Sequence, residues 1–230
     1  MSSSETSSGD LESIRKSDFV ERATSIILPG RKRGSYEYPD LLVSMEIGLQ
    51  GYNHEVTWSK LKVAKEIMLT LRQEVDRLNL LKSDKPVYNG NGKRIPKEIK
   101  KALYLDAVKP REPWRASWLD NLFVDNTISY HRINSDGTLK LVIEPLEDCL
   151  MDDRNPGLSL EDWLKRATNQ GLPPKDVKKG SLFYLHPRQG SVALFFTYSS
   201  GAGLDCGRLI LASIASLGVR MAKVFYGRYR

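Results

Sequence analysis

Cysteine and histidine are scarce: this chain of 230 residues holds two of the first, Cys149 and Cys206, and three of the second. The cysteines lie far apart, with no Cys-x-x-Cys and no Cys/His ligand spacing, which speaks against a structural zinc site and a disulfide framework. His54, His131 and His186 are scattered without a His-x-x-x-His pair, and no serine stands in a Gly-x-Ser-x-Gly context. They read as ordinary surface or strand histidines, which leaves metallohydrolase and serine-hydrolase chemistry without its parts. Long apolar runs are missing too. The most apolar helical stretch, residues 209–219, is closed by Gly218, Arg220 and Lys223, well short of the roughly 20 residues a membrane span needs. Residues 1–10 are Ser/Thr-rich and acidic without an apolar core, unlike a secretory signal or transit peptide. The expectation is a cytosolic or nuclear protein that touches membranes only peripherally.

What the chain does have is positive charge. A formal charge of +7 and 40% apolar residues describe a folded, basic protein, and clustered Lys and Arg favour a polyanionic partner, nucleic acid or an anionic membrane face. The charge is unevenly placed. Residues 82–115 hold ten Lys/Arg against four Asp/Glu, whereas residues 120–165 hold ten acids against four bases. Two such blocks either pair within one monomer or leave the basic half for a polyanion and the acidic half for another copy. Tyr88, Tyr104, Trp114 and Trp118 lie in or beside the basic block, where aromatic rings could stack on bases.

Patterning predicts an α+β fold: a disordered tail over 1–19, then one domain over 20–230 with antiparallel strands packed against a long helix and a C-terminal helix. The first strand is read over 41–49, where Val43, Met45, Ile47 and Leu49 alternate with polar residues or glycine. A long helix is read over 56–81 from the stripe Leu61, Ala64, Met68, Leu71, Val75 and Leu78, which core packing explains better than a coiled-coil seam. Asn89 to Gly92 is a turn. Strands over 128–133 and 138–143 flank Asp136-Gly137, a hairpin signal of the type I′ kind. A short helix over 160–169, strands over 182–185 and 192–198, and a final helix over 206–226 complete the pattern.

Gly201-Ala202-Gly203, with Gly207 beyond, follows a strand as a phosphate-cradling loop would, but its spacing is neither Gly-x-Gly-x-x-Gly nor a P-loop, and a tight turn is the preferred reading. Asp136, Asp148, Asp152 and Asp153 could hold a metal for phosphodiester hydrolysis, yet they fall in turns and loops. The expectation is a binding protein and not an enzyme, with no cofactor and no metal.

Tyr38-Pro39-Asp40-Leu41 resembles the Tyr-Pro-x-Leu late-domain peptides through which budding viruses recruit the host ESCRT machinery by way of an adaptor. Pro39 would extend the backbone and leave Tyr38 and Leu41 to fill pockets. More widely, residues 42–49 followed by Trp58 to Met68, the strand Gly137 to Ile143, the helix Glu161 to Ala167 and the strand Gly180 to Leu185 resemble rhabdovirus matrix proteins of the vesicular stomatitis type. The chain has no Pro-Pro-x-Tyr, its tail is acidic, and it continues to Arg230 beyond the region of resemblance. The resemblance implies a virion structural protein that coats a nucleocapsid, binds the inner membrane leaflet, self-associates and drives budding from the host cytoplasm. The cations expected to meet anionic lipid or RNA are Arg31, Lys32, Arg33, Lys93, Arg94, Lys97, Lys100, Lys101, Lys109, Arg111, Arg115, Arg220, Lys223, Arg228 and Arg230. A basic RNA-binding protein, as a nucleocapsid component or a suppressor of host defence, is the other reading.

Overall fold

A computed structural model describes residues 22–32 and 36–229; the tail read over 1–19, Arg33 and Arg230 lie outside the described residues. Four helices, α1 (His54–Ala64), α2 (Leu71–Lys82), α3 (Lys97–Val108) and α4 (Leu160–Arg166), accompany two sheets. The smaller sheet has the order β1 (Ser25–Leu28), β2 (Leu41–Ser44), β12 (Met221–Val224), β3 (Ile67–Met68). The larger runs β6 (Leu139–Pro145), β5 (Thr127–Ile133), β4 (Arg115–Val124), β9 (Ser191–Tyr198), β10 (Gly201–Leu209), β8 (Leu182–Leu185), β7 (Arg154–Leu158), with β11 (Leu217–Val219) parallel to the first half of β4. One apolar cluster joins both sheets and the helices, from Ile26 and Leu41 through Leu71, Leu78 and Trp118 to Trp163, Leu194 and Val219. Among the described residues no helix is long and apolar enough to cross a membrane.

The α+β class holds, but neither the long helix nor the C-terminal helix exists. The stripe over 56–81 is broken at Lys65, which caps α1 in the left-handed region (φ 57). Ile67 and Met68 then pair with Ala222 and Met221 of β12. A new helix starts at Thr70, whose hydroxyl accepts the Gln73 N–H while the Gln73 side chain accepts the Thr70 N–H. That reciprocal capping box satisfies two orphan donors and makes Thr70 a start, not an interior position.

In the C-terminal segment, Ser199 and Ser200 turn the chain from β9 into β10, which pairs antiparallel from Gly201↔Tyr198 to Leu209↔Ser191. Turns near Leu209 to Ala212 and Ile214 to Leu217 follow, and then β11 and β12. Gly218 permits a close crossing that a helix would not need: a Cβ there would sit 2.4 Å from the Gly48 carbonyl. Gly48 and Val219 exchange both backbone hydrogen bonds at 2.9 Å. The first strand is likewise shorter than read. It stops at Ser44, whose hydroxyl bonds the Glu46 carbonyl and accepts the Met221 N–H, and all four of its residues are buried.

The hairpin β5–β6 forms as read, in register from Thr127↔Pro145 to Ile133↔Leu139. Its turn differs in type. Only Gly137 has positive φ (83), and the Asn134 carbonyl accepts the Gly137 N–H, so a tight turn is followed by one left-handed glycine.

Charge is also paired within the helices. The Arg77 guanidinium meets both Glu74 carboxylate oxygens, at 2.6 and 2.7 Å, with both side chains buried. Glu74→Gln is expected to lower unfolding free energy by about 3–5 kcal/mol, because it strands a buried guanidinium; urea denaturation measures it. Near α4, the Arg166 guanidinium and the Lys178 N–H hold the Asp162 carboxyl down to about 2. A depressed carboxylate stabilises the fold above its ordinary range and loses that contribution as pH falls through about 2. Acid titration of Asp162→Asn is expected to lack that step.

Candidate functional site

The cations of the basic block do not share one fate. Between α2 and α3 the chain forms a small hairpin in which Val87 accepts the Ile95 N–H, Tyr88 bridges to Arg94, and Asn89 to Gly92 makes the expected turn. The Ile27 N–H donates to the Tyr88 carbonyl, and Gly90 lies so close to Arg22 that a Cβ would stand 2.8 Å from its Cα. The hairpin is thereby fixed against β1. Behind it lies a cleft of about 260 Å³ with Leu81, Val87 and Ile95 among its lining residues, ringed by Lys82, Lys85, Arg94, Lys97, Lys100 and Lys101 against a single acid, Asp84.

Lys97, Lys100, Lys101 and Tyr104 recur at three- and four-residue spacing and so share one face of α3. Lys85, Lys93, Arg94, Lys97 and Lys101 are exposed, and among the described residues none of these five has an ion-pair partner within 4 Å. Lys82 pairs with Glu161 at 3.1 Å, an exposed bridge worth little. Pro96 stands at the N-cap of α3 and offers its first turn no side-chain acceptor, which leaves the positive end of the helix uncapped.

Lys100 belongs to the fold. Its buried ammonium donates to the carbonyls of Ser83 and Lys85, pinning the loop after α2 onto α3. Burial lowers its pKa, and Arg94 and Lys97 act in the same direction against Asp84.

Other expected contacts are also committed elsewhere. Arg111 and Arg115 both meet Asp106, Lys223 stands 3.7 Å from Glu66, and Arg31 bonds Asp76 at 3.3 Å. Arg220 is buried between the sheets. Lys32, Lys109 and Arg228 are exposed. The Arg228 carbonyl comes within 3.5 Å of a Cβ built at Gly92, so the C-terminal segment joins the Lys93–Arg94 rim at Arg228 and not at Arg220 or Lys223. Lys82, Lys85 and Arg22 were missed as individual contacts; the local charge count included the two lysines, but only the hairpin brings Arg22 near.

The two charge blocks scarcely pair. Lys82–Glu161 joins them, while Asp148, Asp152, Asp153 and Asp162 find Lys175, Arg154, Arg188 and Arg166 within or beyond the acidic block. The four acids considered for a metal are not gathered, and no group of three or more His, Cys, Asp or Glu residues suited to a metal occurs among the described residues.

The tetrapeptide Tyr38 to Leu41 is built into the protein. The Tyr38 hydroxyl donates to Asp76 at 2.8 Å, and its ring is buried; burial, and then Asp76, raise the phenol pKa. Asp40 accepts the Gly30 N–H on its side chain and the Phe225 N–H on its carbonyl. Leu41 is fully buried and pairs with Leu28 and Val224. An adaptor taking Tyr38 and Leu41 into its own pockets would first have to empty this core. Of the four candidate stacking rings, Trp118 is fully buried with its indole N–H on the Tyr52 carbonyl, and Tyr88 lies 5.7 Å from Tyr229. Gly201 and Gly203 lie within β10, so they form neither a phosphate loop nor the turn itself.

No protein-family model, no curated protein and no solved structure matches this chain.

Two substitution pairs separate fold from surface. Leu41→Ala is expected to cost about 2–5 kcal/mol, whereas exposed Leu209→Ala stays within about 0.5 kcal/mol. Lys100→Ala is expected to lower the melting temperature and Lys101→Ala to leave it unchanged, both read by thermal denaturation.

Proposed function

We propose that this chain is a matrix-like assembly protein that works by binding and not by catalysis, and that its cationic cleft between α2 and α3 holds phosphate-bearing polyanion. The observation that carries the reading is the set of exposed cations around one concavity that have no ion-pair partner among the described residues, in a chain whose other candidate cations are largely tied to acids or carbonyls. Phosphates on this face release counterions from nucleic acid, and an anionic leaflet attracts the same side chains. One face of this kind suits a protein that lies between ribonucleoprotein and the inner side of a membrane. Self-association would extend such a layer, and β6, at one edge of the larger sheet, leaves Leu141 and Ile143 exposed for it. Budding, if the protein drives it, would draw on that layer, since the Tyr38 to Leu41 segment is held in the core.

Co-sedimentation tests the reading. The protein should pellet with vesicles containing phosphatidylserine and not with neutral ones, and the binding should weaken steeply with salt. At roughly 1 kcal/mol per cation, Lys93→Gln, Arg94→Gln and Lys97→Gln together should lower vesicle affinity about a hundredfold without changing the melting temperature. Equal pelleting with neutral vesicles, or a triple variant that binds as well as the parent, would count against it.

A second place in the molecule, at the opposite end of α3, bears on RNA in particular.

A further inference from the structure

On one face of the larger sheet, β10 lies between β8 and β9 and contributes Gly201 and Gly203 where its neighbours carry rings. The register sets Gly203 beside both Phe183 and Phe196, and Gly201 beside Tyr198. A Cβ at Gly203 would stand 2.2 Å from the Phe196 ring; the ring occupies the space that the glycine leaves. Phe183 and Phe196 each contact Tyr198, with ring centroids 5.2 and 5.6 Å apart. Trp114 lies on one side, and the resulting pocket of about 450 Å³ is lined by the cations Arg154 and Arg208 and by the acids Glu112 and Asp205.

These four rings are only partly buried, although the protein sequesters Trp58, Trp118 and Trp163 in its core. Half-exposed aromatics converging on a concavity leave apolar faces for a planar guest. The charges at the mouth narrow the choice. Arg154 is 45% exposed and meets Asp152 only at 3.6 Å, so its guanidinium can reach a phosphate. Arg208 is held by Asp205 at 3.0 Å, and the Asp205 carboxylate also accepts the Gly207 N–H.

The pocket is joined to the cationic cleft by α3. The Arg111 N–H, just past the end of that helix, donates to the Tyr198 carbonyl at 3.0 Å. At twelve residues the helix is about 18 Å long at 1.5 Å per residue. Its N-terminal end carries Lys97 and Lys101, and exposed Lys109 follows its last turn.

We propose that the Phe183–Phe196–Tyr198–Trp114 pocket takes a nucleobase bearing a phosphate, with the base against the rings and the phosphate at Arg154. The occupant is a base of single-stranded RNA whose backbone follows the cations of α3; this rests on the polyanion reading of the cleft. A proline-rich peptide could use the same rings, but it would have no use for the guanidinium at the mouth or for the charged path that leads there.

The test compares three probes on the full chain at one salt concentration: a short oligoadenylate, an abasic ribose-phosphate strand of the same length, and adenosine monophosphate. Intrinsic fluorescence reports the pocket because Trp114 is the partly exposed tryptophan. The oligoadenylate should bind about tenfold more tightly than the abasic strand and quench Trp114, which the abasic strand should not. Tyr198→Ala and Phe183→Ala should each erase most of that difference and leave abasic binding intact. If either variant fails to fold, the comparison of strands on the parent protein still decides. Equal affinity for the two strands overturns the proposal, as does a base preference that survives both substitutions. Quenching of Trp114 by a proline-rich peptide where oligoadenylate gives none also overturns it. If neither strand binds, the cationic-face reading fails by itself, and adenosine monophosphate then judges the pocket: quenching supports it, and none overturns it.

Discussion

The fold depends on a charged side chain in a place where charge is costly. Between β11 and β12 the backbone leaves one sheet for the other, and the crossing residue is Arg220. Its N–H donates to the Ser117 hydroxyl of β4, and the next N–H, of Met221, donates to the Ser44 hydroxyl at the end of β2. Its guanidinium reaches the carbonyls of Ser44 and Met45 and lies 3.8 Å from Asp106 of α3. Burial makes the charged form less favourable, and Arg77 and Arg115 add to that while Glu74 and Asp106 oppose it. Such a group tolerates no partial solution: the two sheets, α2 and α3 must all be in place for its donors and its charge to be met. The cleft and the aromatic pocket inherit their positions from this arrangement, because α3 is held near its C-terminal end, where Asp106 meets Arg111, Arg115 and Arg220.

On the proposed reading, α3 would separate two tasks that nucleic-acid recognition combines. Charge gathered at the start of the helix would attract and orient a phosphate chain without regard to sequence, while rings at its end would meet something that only a base offers. The same cations would serve an anionic leaflet, which has no use for the rings. A protein placed between a membrane and a ribonucleoprotein would thus meet its two partners through one shared surface and one surface that is not shared.

Local chemistry was legible in the sequence where neighbours in the chain decide the structure. The β5–β6 hairpin, the Asn89 to Gly92 turn, α4, and the strands at 182–185 and 192–198 all appear where Asp-Gly, Asn-Gly, Ser159 and β-branched or aromatic runs place them. The break at Lys65 was legible in principle, since Thr70 to Gln73 spells a capping box inside the supposed helix. The apolar spacing of Leu61, Ala64 and Met68 concealed it because a short buried strand and a helix face can share the same few residues. At the C-terminal end the deciding partners are remote: Val43, Met68 and Ala116 are among the residues that pair with the strands at 217–219 and 221–224. The burial of Tyr38 is invisible locally for a related reason, as Asp76 and Arg72 lie on a helix that local pattern cannot bring to it. The basic block was visible as a count, but which of its cations are spent on carbonyls and carboxylates depends on tertiary contacts alone.

In the smaller sheet β12 is an interior strand, flanked by β2 on one side and β3 on the other. Its neighbours are made early in the chain and it is made late. Until it arrives, β2 presents an open edge and the two residues of β3 have no sheet to join. Closure of this sheet is therefore a long-range event with a loop-closure cost, and β2 keeps a sticky, incomplete edge until residues 221–224 reach it. Residues 41–44 and 67–68 thus share one remote partner, and the two segments are fixed against each other only when it docks.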